Sequence, residues 1–242
     1  VMNVAANYLP EHVPIGTRIH YIVSNGGKAP NVVPDFAESY YYIRQADPAV
    51  VRSVWGRLEK AAEGAALATG TTVKVEITGG VYSMLGNKTL AEVLDRNLQL
   101  VGGPEWSAED KVWAQTIGRT LENKIPLEAA SRLDPISYED TGGSTDVSDV
   151  SWVVPTIGLN AATWVPGTPG HSWQATAASG HAIGAKGGVV AAKALAVTAA
   201  DLFASPETLA AAKKELVAAR GANFKYQPML GNRAPALNYR DE

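Results

Sequence analysis

Residues 36–78 read FAESYYYIRQADPAVVRSVWGRLEKAAEGAALATGTTVKVEIT, and the spacing of their apolar positions changes period twice. In Phe36–Arg44, Ala37, Ser39, Tyr41 and Ile43 alternate with Glu38, Tyr40, Tyr42 and Arg44, the period of a strand with one covered face. Asp47 then offers an N-cap, and Pro48 stands at the first helical position, where its missing N–H is no loss. Helical spacing continues to Thr69, and Gly70 closes it, because glycine accepts the left-handed backbone that ends helices. Thr71–Thr78 returns to alternation, with Val73, Val75 and Ile77 against Lys74 and Glu76, and predicts a further strand. Upstream, Thr17–Ser24 places Ile19, Tyr21 and Val23 on one face and ends in the turn Ser24-Asn25-Gly26-Gly27. Residues 1–9 read as a helix stopped by Pro10.

Helix, strand, strand, helix, strand is the βαββαβ ferredoxin-like sandwich without its first strand. On this reading the sequence is expected to be a piece of a longer polypeptide. Beyond Gly79-Gly80 the texture changes. Asn87 caps a helix to about Val101, and Ser107-Ala108-Glu109-Asp110 reads as a capping box opening another. A polar loop from Asp134 to Asp149 leads into Val150–Trp164, whose Val153, Val154, Ile157 and Leu159 predict one or two buried strands. Two helices follow, over 186–204 and 206–220, the second capped by Ser205 and stopped by Gly221. Strands alternating with helices make the fold class α/β.

Composition narrows the chemistry. At 242 residues and 46% hydrophobic content the chain is long enough for one large domain or two small ones. A net charge of −3 with interspersed signs offers no basic stripe, so nucleic acid is not an expected partner. The absence of cysteine removes thiol nucleophiles and Cys-based metal sites. The apolar tract Gly187–Ala204 carries Lys193 and Asp201 and reads as too polar and short for a bilayer, so no membrane partner is expected and a cytoplasmic setting is the default.

Two loops look chemical. Gly142-Gly143-Ser144-Thr145-Asp146-Val147-Ser148-Asp149 pairs free backbone N–H groups with carboxylates, and Pro166-Gly167-Thr168-Pro169-Gly170-His171-Ser172-Trp173 presents an imidazole on a stiff turn. Such a combination suits a metal and a polarised carbonyl. Each has a plainer reading: Gly-Gly-Ser as a turn, His171 as a hydrogen-bonded loop histidine, Asp146 and Asp149 as braces. His20 reads as a surface or interface residue, His12 as an inert loop residue, and His181 as a cap for the following helix. The Tyr40-Tyr41-Tyr42 run reads as sheet packing.

Taken together with Gly27-Lys28-Ala29-Pro30-Asn31-Val32-Val33-Pro34 and Tyr40–Arg44, these motifs, in collinear order, resemble the dinuclear-metal aminoacylase and carboxypeptidase family, in its amidohydrolase branch. The resemblance implies a catalytic α/β domain, built on a mixed sheet, interrupted by a smaller lid that mediates homodimerisation. Residues 1–79 would be the lid and 80–242 the C-terminal half of the catalytic domain. It further implies two divalent ions, zinc or manganese, with His171 as the last metal ligand. Gly142, Gly143, Ser144 and Thr145 would receive a substrate carbonyl or carboxylate, and Asn31 and Arg44 would bind the carboxylate end of an N-acyl amino acid across the dimer. The general-base Glu and the other metal ligands belong to the family's N-terminal half, which has no counterpart in these residues. The alternative is a non-catalytic dimerisation or regulatory module derived from that family.

Overall fold

A computed structural model describes residues 1–137, 143–231, 233, 234 and 237. The chain divides into two compact units, the first comprising Val1–Met84, Ser144–Asp149 and Tyr226–Glu242, the second Leu85–Gly143 and Val150–Lys225.

In the first unit, α1 (Met2–Tyr8) and a 3-10 turn (Leu9–His12) precede strands β1 (Arg18–Asn25) and β2 (Glu38–Arg44) and helix α2 (Pro48–Thr69). The strands pair antiparallel, with Ile19 opposite Ile43 and Tyr21 opposite Tyr41, and a bulge between Val23 and Asn25. Alternation sends Ile19, Tyr41 and Ile43 inward against Ala6, Leu9, Trp55 and Leu58. The Tyr41 hydroxyl donates to the Asn3 side chain, which ties α1 to the hairpin. Asp47 Oδ1 accepts from the Ala49 N–H at 2.8 Å, and Gly70 ends α2 at φ 65°.

The third predicted strand does not form. Thr71–Thr78 is extended but outside any ladder, and the sheet among the described residues contains β1 and β2 alone. Val73, Val75 and Ile77 are exposed. Alternation specifies which side chains share a face, whereas a strand also needs a neighbouring edge for its backbone groups. Here the Ile77 and Thr78 carbonyls accept instead from the Arg233 guanidinium, at 3.0 and 3.2 Å. Of the expected sandwich, the described residues show a helix-backed hairpin.

The second unit is helical: α3 (Lys88–Val101), α4 (Ala108–Gly118), a 3-10 turn (Leu127–Ser131), α6 (Trp173–Ser179), α7 (Ala182–Ala204) and α8 (Pro206–Arg220), while α5 (Val147–Ser151) straddles the division. Asn87 Oδ1 accepts from the Leu90 N–H at 3.0 Å while its Nδ2 donates to the Ala212 carbonyl at 2.9 Å. Glu215 of α8 takes the Lys88 and Thr89 N–H groups at 2.5 and 2.9 Å. The buried amide of Asn97 donates to Thr198 and Asp201 of α7. Ala114, Ile117, Leu121, Leu127, Val165 and Ile183 form the apolar core, with Trp106 and Trp113 against it. At Gly187 an added Cβ would lie 2.1 Å from the Ala162 carbonyl oxygen, so only glycine lets α7 approach that backbone.

Three further expectations change here. Val150–Trp164 contains no strand: the Val153 and Val154 N–H groups both turn back to the Val150 carbonyl, at 2.9 and 3.0 Å, which extends the α5 turn and leaves both valines exposed. Helix α7 begins at Ala182, because the His181 ring caps it through the Ile183 N–H at 3.3 Å. At 23 residues it is long and apolar enough, by length and composition, to cross a membrane, contrary to the shorter tract read from the sequence. Ser205 precedes α8 as expected, but its hydroxyl bonds Glu207 and Thr208 side chains rather than a backbone N–H. Helices with one small antiparallel hairpin remain compatible with α/β.

Asp110 concentrates the second unit's electrostatics. It is 1% exposed, forms a reciprocal capping box with Ser107, and accepts from the Lys186 ammonium of α7. That hydrogen bond from Lys186 holds its carboxyl below the ordinary carboxylate range, against the opposing effect of burial. A depressed folded pKa contributes stability that is present above the unfolded value near about 4 and is lost as pH falls through the folded value. Asp110→Asn should therefore lower unfolding free energy at pH 7 by about 3 kcal/mol and flatten its decline in acid, measured by urea titration between pH 7 and 3.

Candidate functional site

The His171 loop is shaped by two anchors. Gly167 adopts φ 87° and its missing Cβ would fall 2.3 Å from the Asn123 carbonyl oxygen, which presses the Pro166–Gly167 turn onto that backbone. Ser172 donates to the Pro169 carbonyl at 2.7 Å and accepts from the Ala175 N–H at 3.2 Å, so it closes the loop and opens α6 together. Between these anchors His171 is exposed and has φ 58°, the one non-glycine residue with positive φ among the described residues. A left-handed backbone at a residue with a Cβ costs about 1–2 kcal/mol, a strain that persists only where the surroundings impose it. The Thr168 hydroxyl in the same loop is buried and has no hydrogen-bond partner among the described residues.

The second loop is braced more than it is open. Gly142 lies outside the described residues. At Gly143 an added Cβ meets nothing within 4 Å, and φ is not left-handed, so no packing or backbone strain accounts for glycine there. Ser144 is exposed. Thr145 has its hydroxyl engaged locally, accepting from the Val147 N–H at 3.3 Å, and its carbonyl accepts from the Ser148 N–H and hydroxyl. Asp149 accepts from the Tyr82 N–H at 3.2 Å and from the Tyr226 hydroxyl. Burial, reinforced by that carboxylate, pushes the Tyr226 phenol up. Arg52 and the Tyr82 hydroxyl both donate to the Gln227 carbonyl, at 2.7 and 2.9 Å, completing a brace that the sequence does not advertise.

Asn31 and Arg44 belong to the hairpin of the first unit. Asn31 is exposed in the β1–β2 connection, which Gly27 turns at φ 97° beside Pro34. Arg44 ends β2, directly opposite Arg18, with its guanidinium carbon 5.8 Å from the Tyr42 ring centroid. Six residues of strand, about 20 Å, separate Arg44 from the start of that connection, so the hairpin holds the two at opposite ends. Tyr41 is packed inward, whereas Tyr40 and Tyr42 are exposed, which corrects the reading of the whole run as packing. Arg18, on the face shared with His20, drew no reading from the sequence. His12 and His20 are exposed, and His181 caps α7 with its ring stacked on Trp113, centroids 4.1 Å apart.

Comparison with known proteins follows from these motifs. No family model matches the chain. It is 34% identical over 201 residues to a subunit of the p-aminobenzoyl-glutamate hydrolase of Escherichia coli (strain K12), covering 72% of this chain and 42% of that protein. It is 31% and 32% identical to the Xaa-Arg dipeptidases of Mus musculus and Homo sapiens, over 58% of this chain and 27% and 26% of theirs. The chain is a homologue of the aminoacylase/amidohydrolase family. It spans less than half the length of these relatives.

The family resemblance implies a metal centre, and the donor set can be tested for it. Among the described residues no group of three His, Cys, Asp or Glu side chains converges to hold an ion. His171 by itself does not make a dinuclear site, so the residues present do not fit that group without further ligands. The strained loop yields its own prediction. His171→Gly should leave stability unchanged or raise it by about 0.5–1 kcal/mol by releasing the left-handed strain, and Gly167→Ala should lower it by more than about 1 kcal/mol, both read by urea unfolding.

Proposed function

We propose that this chain supplies part of an amidohydrolase that cleaves the amide bond of an N-acyl or N-aroyl amino acid or a short dipeptide. The observation that carries the reading is the exposed imidazole of His171, held in a left-handed conformation by Gly167 and Ser172 within a motif that resembles the family's. Residues 1–79 act as the lid and homodimerisation domain, and 80–242 as the C-terminal half of the catalytic domain. The family's N-terminal half contributes the general-base Glu and the remaining ligands of a divalent-metal centre, of which His171 would be one. That one relative is itself named as a subunit fits an enzyme completed by further polypeptide.

The division of labour among this chain's residues follows from their chemistry. Arg44 presents a planar guanidinium, which grips a carboxylate through two parallel hydrogen bonds. Asn31, at the other end of the same hairpin, would meet that end of the substrate only from a second copy of the chain, across the homodimer. Gly142 and Gly143 let the substrate oxygen approach backbone N–H groups, with Ser144 as a further donor, because no side chain intervenes. Thr145 is a further donor on this loop, its hydroxyl accepting from the Val147 N–H while keeping its own proton. The homology to hydrolases of acyl amino acids and dipeptides supports the general amidohydrolase reading. The lack of a converging ligand set among the described residues favours, for the chain by itself, the second reading of a non-catalytic dimerisation module.

Hydrolysis of N-benzoyl-glutamate, followed by amino-acid release, separates the two. The chain joined with the polypeptide that completes it should be active and should lose activity on His171→Ala; full activity in that variant would remove His171 from the site. Arg44→Ala should raise KM about 10- to 100-fold for substrates with a free carboxylate and spare the corresponding amides, as loss of a charge-assisted pair predicts.

A further inference from the structure

Within the second unit a cavity of about 260 Å³ opens between α3, the last turn of α7 and the start of α8. Its floor is apolar and its rim is charged: Val93 is buried and Leu202 half-buried, whereas Arg96 and Asp201 are exposed. Ser205 and Thr208, both half-buried, complete the wall. None of these residues takes part in the reaction proposed above. Asp201 Oδ2 accepts from the buried Asn97 amide at 2.8 Å, which fixes the carboxylate, and its Oδ1 has no hydrogen-bond partner among the described residues. Arg96 makes neither an ion pair nor a hydrogen bond among the described residues. Two opposite charges therefore share one cavity without neutralising each other. The Ser205 hydroxyl donates to Glu207, so the hydrogen in its 2.7 Å contact with Thr208 comes from Thr208. Both hydroxyl protons are then committed, and what remains on these oxygens is lone pairs.

We propose that this cavity binds a small zwitterion, an α-amino acid with a short apolar side chain. Its carboxylate meets the Arg96 guanidinium, its ammonium meets Asp201 and the lone pairs of Ser205 and Thr208, and its side chain covers Val93 and Leu202. Charge decides the class. An inorganic anion drawn to Arg96 would face the Asp201 and Glu207 carboxylates, and a bare cation drawn to Asp201 would face Arg96, whereas a ligand carrying both signs satisfies both ends. An ammonium has three donors and no acceptor, which suits hydroxyls that have only lone pairs to give, and the guanidinium fork suits a carboxylate. Size agrees with charge. Pockets for drug-sized ligands run from about 300 Å³ upward, so 260 Å³ admits a molecule of amino-acid size. Because both charges stand at an exposed rim, their attraction is screened and the apolar floor supplies a large share of the affinity.

The test is calorimetric titration of the full chain at about pH 6.5, below the α-amino pKa near about 8, so that every amine is charged. L-leucine, N-acetyl-L-leucine and L-leucinamide carry both charges, the carboxylate alone and the ammonium alone. L-leucine should bind about tenfold tighter than either analogue, and glycine should bind more weakly than L-leucine for want of a side chain. Arg96→Gln should weaken L-leucine about tenfold and leave L-leucinamide within about twofold. Asp201→Asn, which keeps an acceptor for Asn97, should weaken L-leucine and L-leucinamide and spare N-acetyl-L-leucine. Arg96 is exposed and unpaired, so its variant carries the test should Asp201→Asn fail to fold. No binding of L-leucine by the wild type, equal affinities for the three ligands, unchanged L-leucine affinity in Arg96→Gln, or tighter binding of inorganic phosphate would each overturn the assignment.

Discussion

Side chains that satisfy helix N-termini hold this structure together more than any sheet does. The first N–H groups of a helix have no partner within it, and leaving them unmet in a packed interior is costly. Asp47, Asn87, Ser107, Ser172 and His181 each meet one. In the second unit the same residues also join helices: Asn87 reaches the α8 carbonyl of Ala212, Glu215 returns from α8 to the start of α3, and the Asp110 of a capping box takes the Lys186 ammonium from α7. Helix starts and helix packing are therefore one network, and a change at a cap propagates into the core.

The His171 loop uses the same device. Ser172 belongs to α6 as its cap and to the loop as the group that closes it on Pro169, so the imidazole is held one residue ahead of a fixed helix start. Gly167 fixes the other side by its close approach to Asn123. Strain at His171 is the consequence of two anchors that leave one residue to absorb the turn. The Gly143–Asp149 loop is held differently, through the Asp149 carboxylate and the tyrosines that donate to it or carry the N–H it accepts.

Legibility of the fold from sequence follows these physical differences. Caps were readable because they are local: Asp47-Pro48 with Gly70, Asn87 and Ser107 through Asp110 mark helices that the structure starts at the same residues. Strands were readable only where both partners lie in the same hairpin, as in β1 and β2. Thr71–Thr78 and Val150–Trp164 have the right composition, yet a ladder needs a second edge that alternation cannot reveal. For the candidate site, the two loops and their residue types stood out early. Arg18 opposite Arg44 did not, because strand register is a relation between distant positions; neither did the Tyr82–Tyr226 brace on Asp149, which joins segments far apart in the chain.

By itself the sequence determined both ends of α2 and α3, the start of α4, the inward and outward faces of the hairpin, and the order of motifs that ties the chain to its family, because each is set by spacing within a few residues. Tertiary structure alone decided which extended segments become strands, which hydroxyls are engaged as caps, and which guanidinium groups face one another. Those outcomes depend on what a backbone edge or a side chain meets across space, and local spacing carries no record of that.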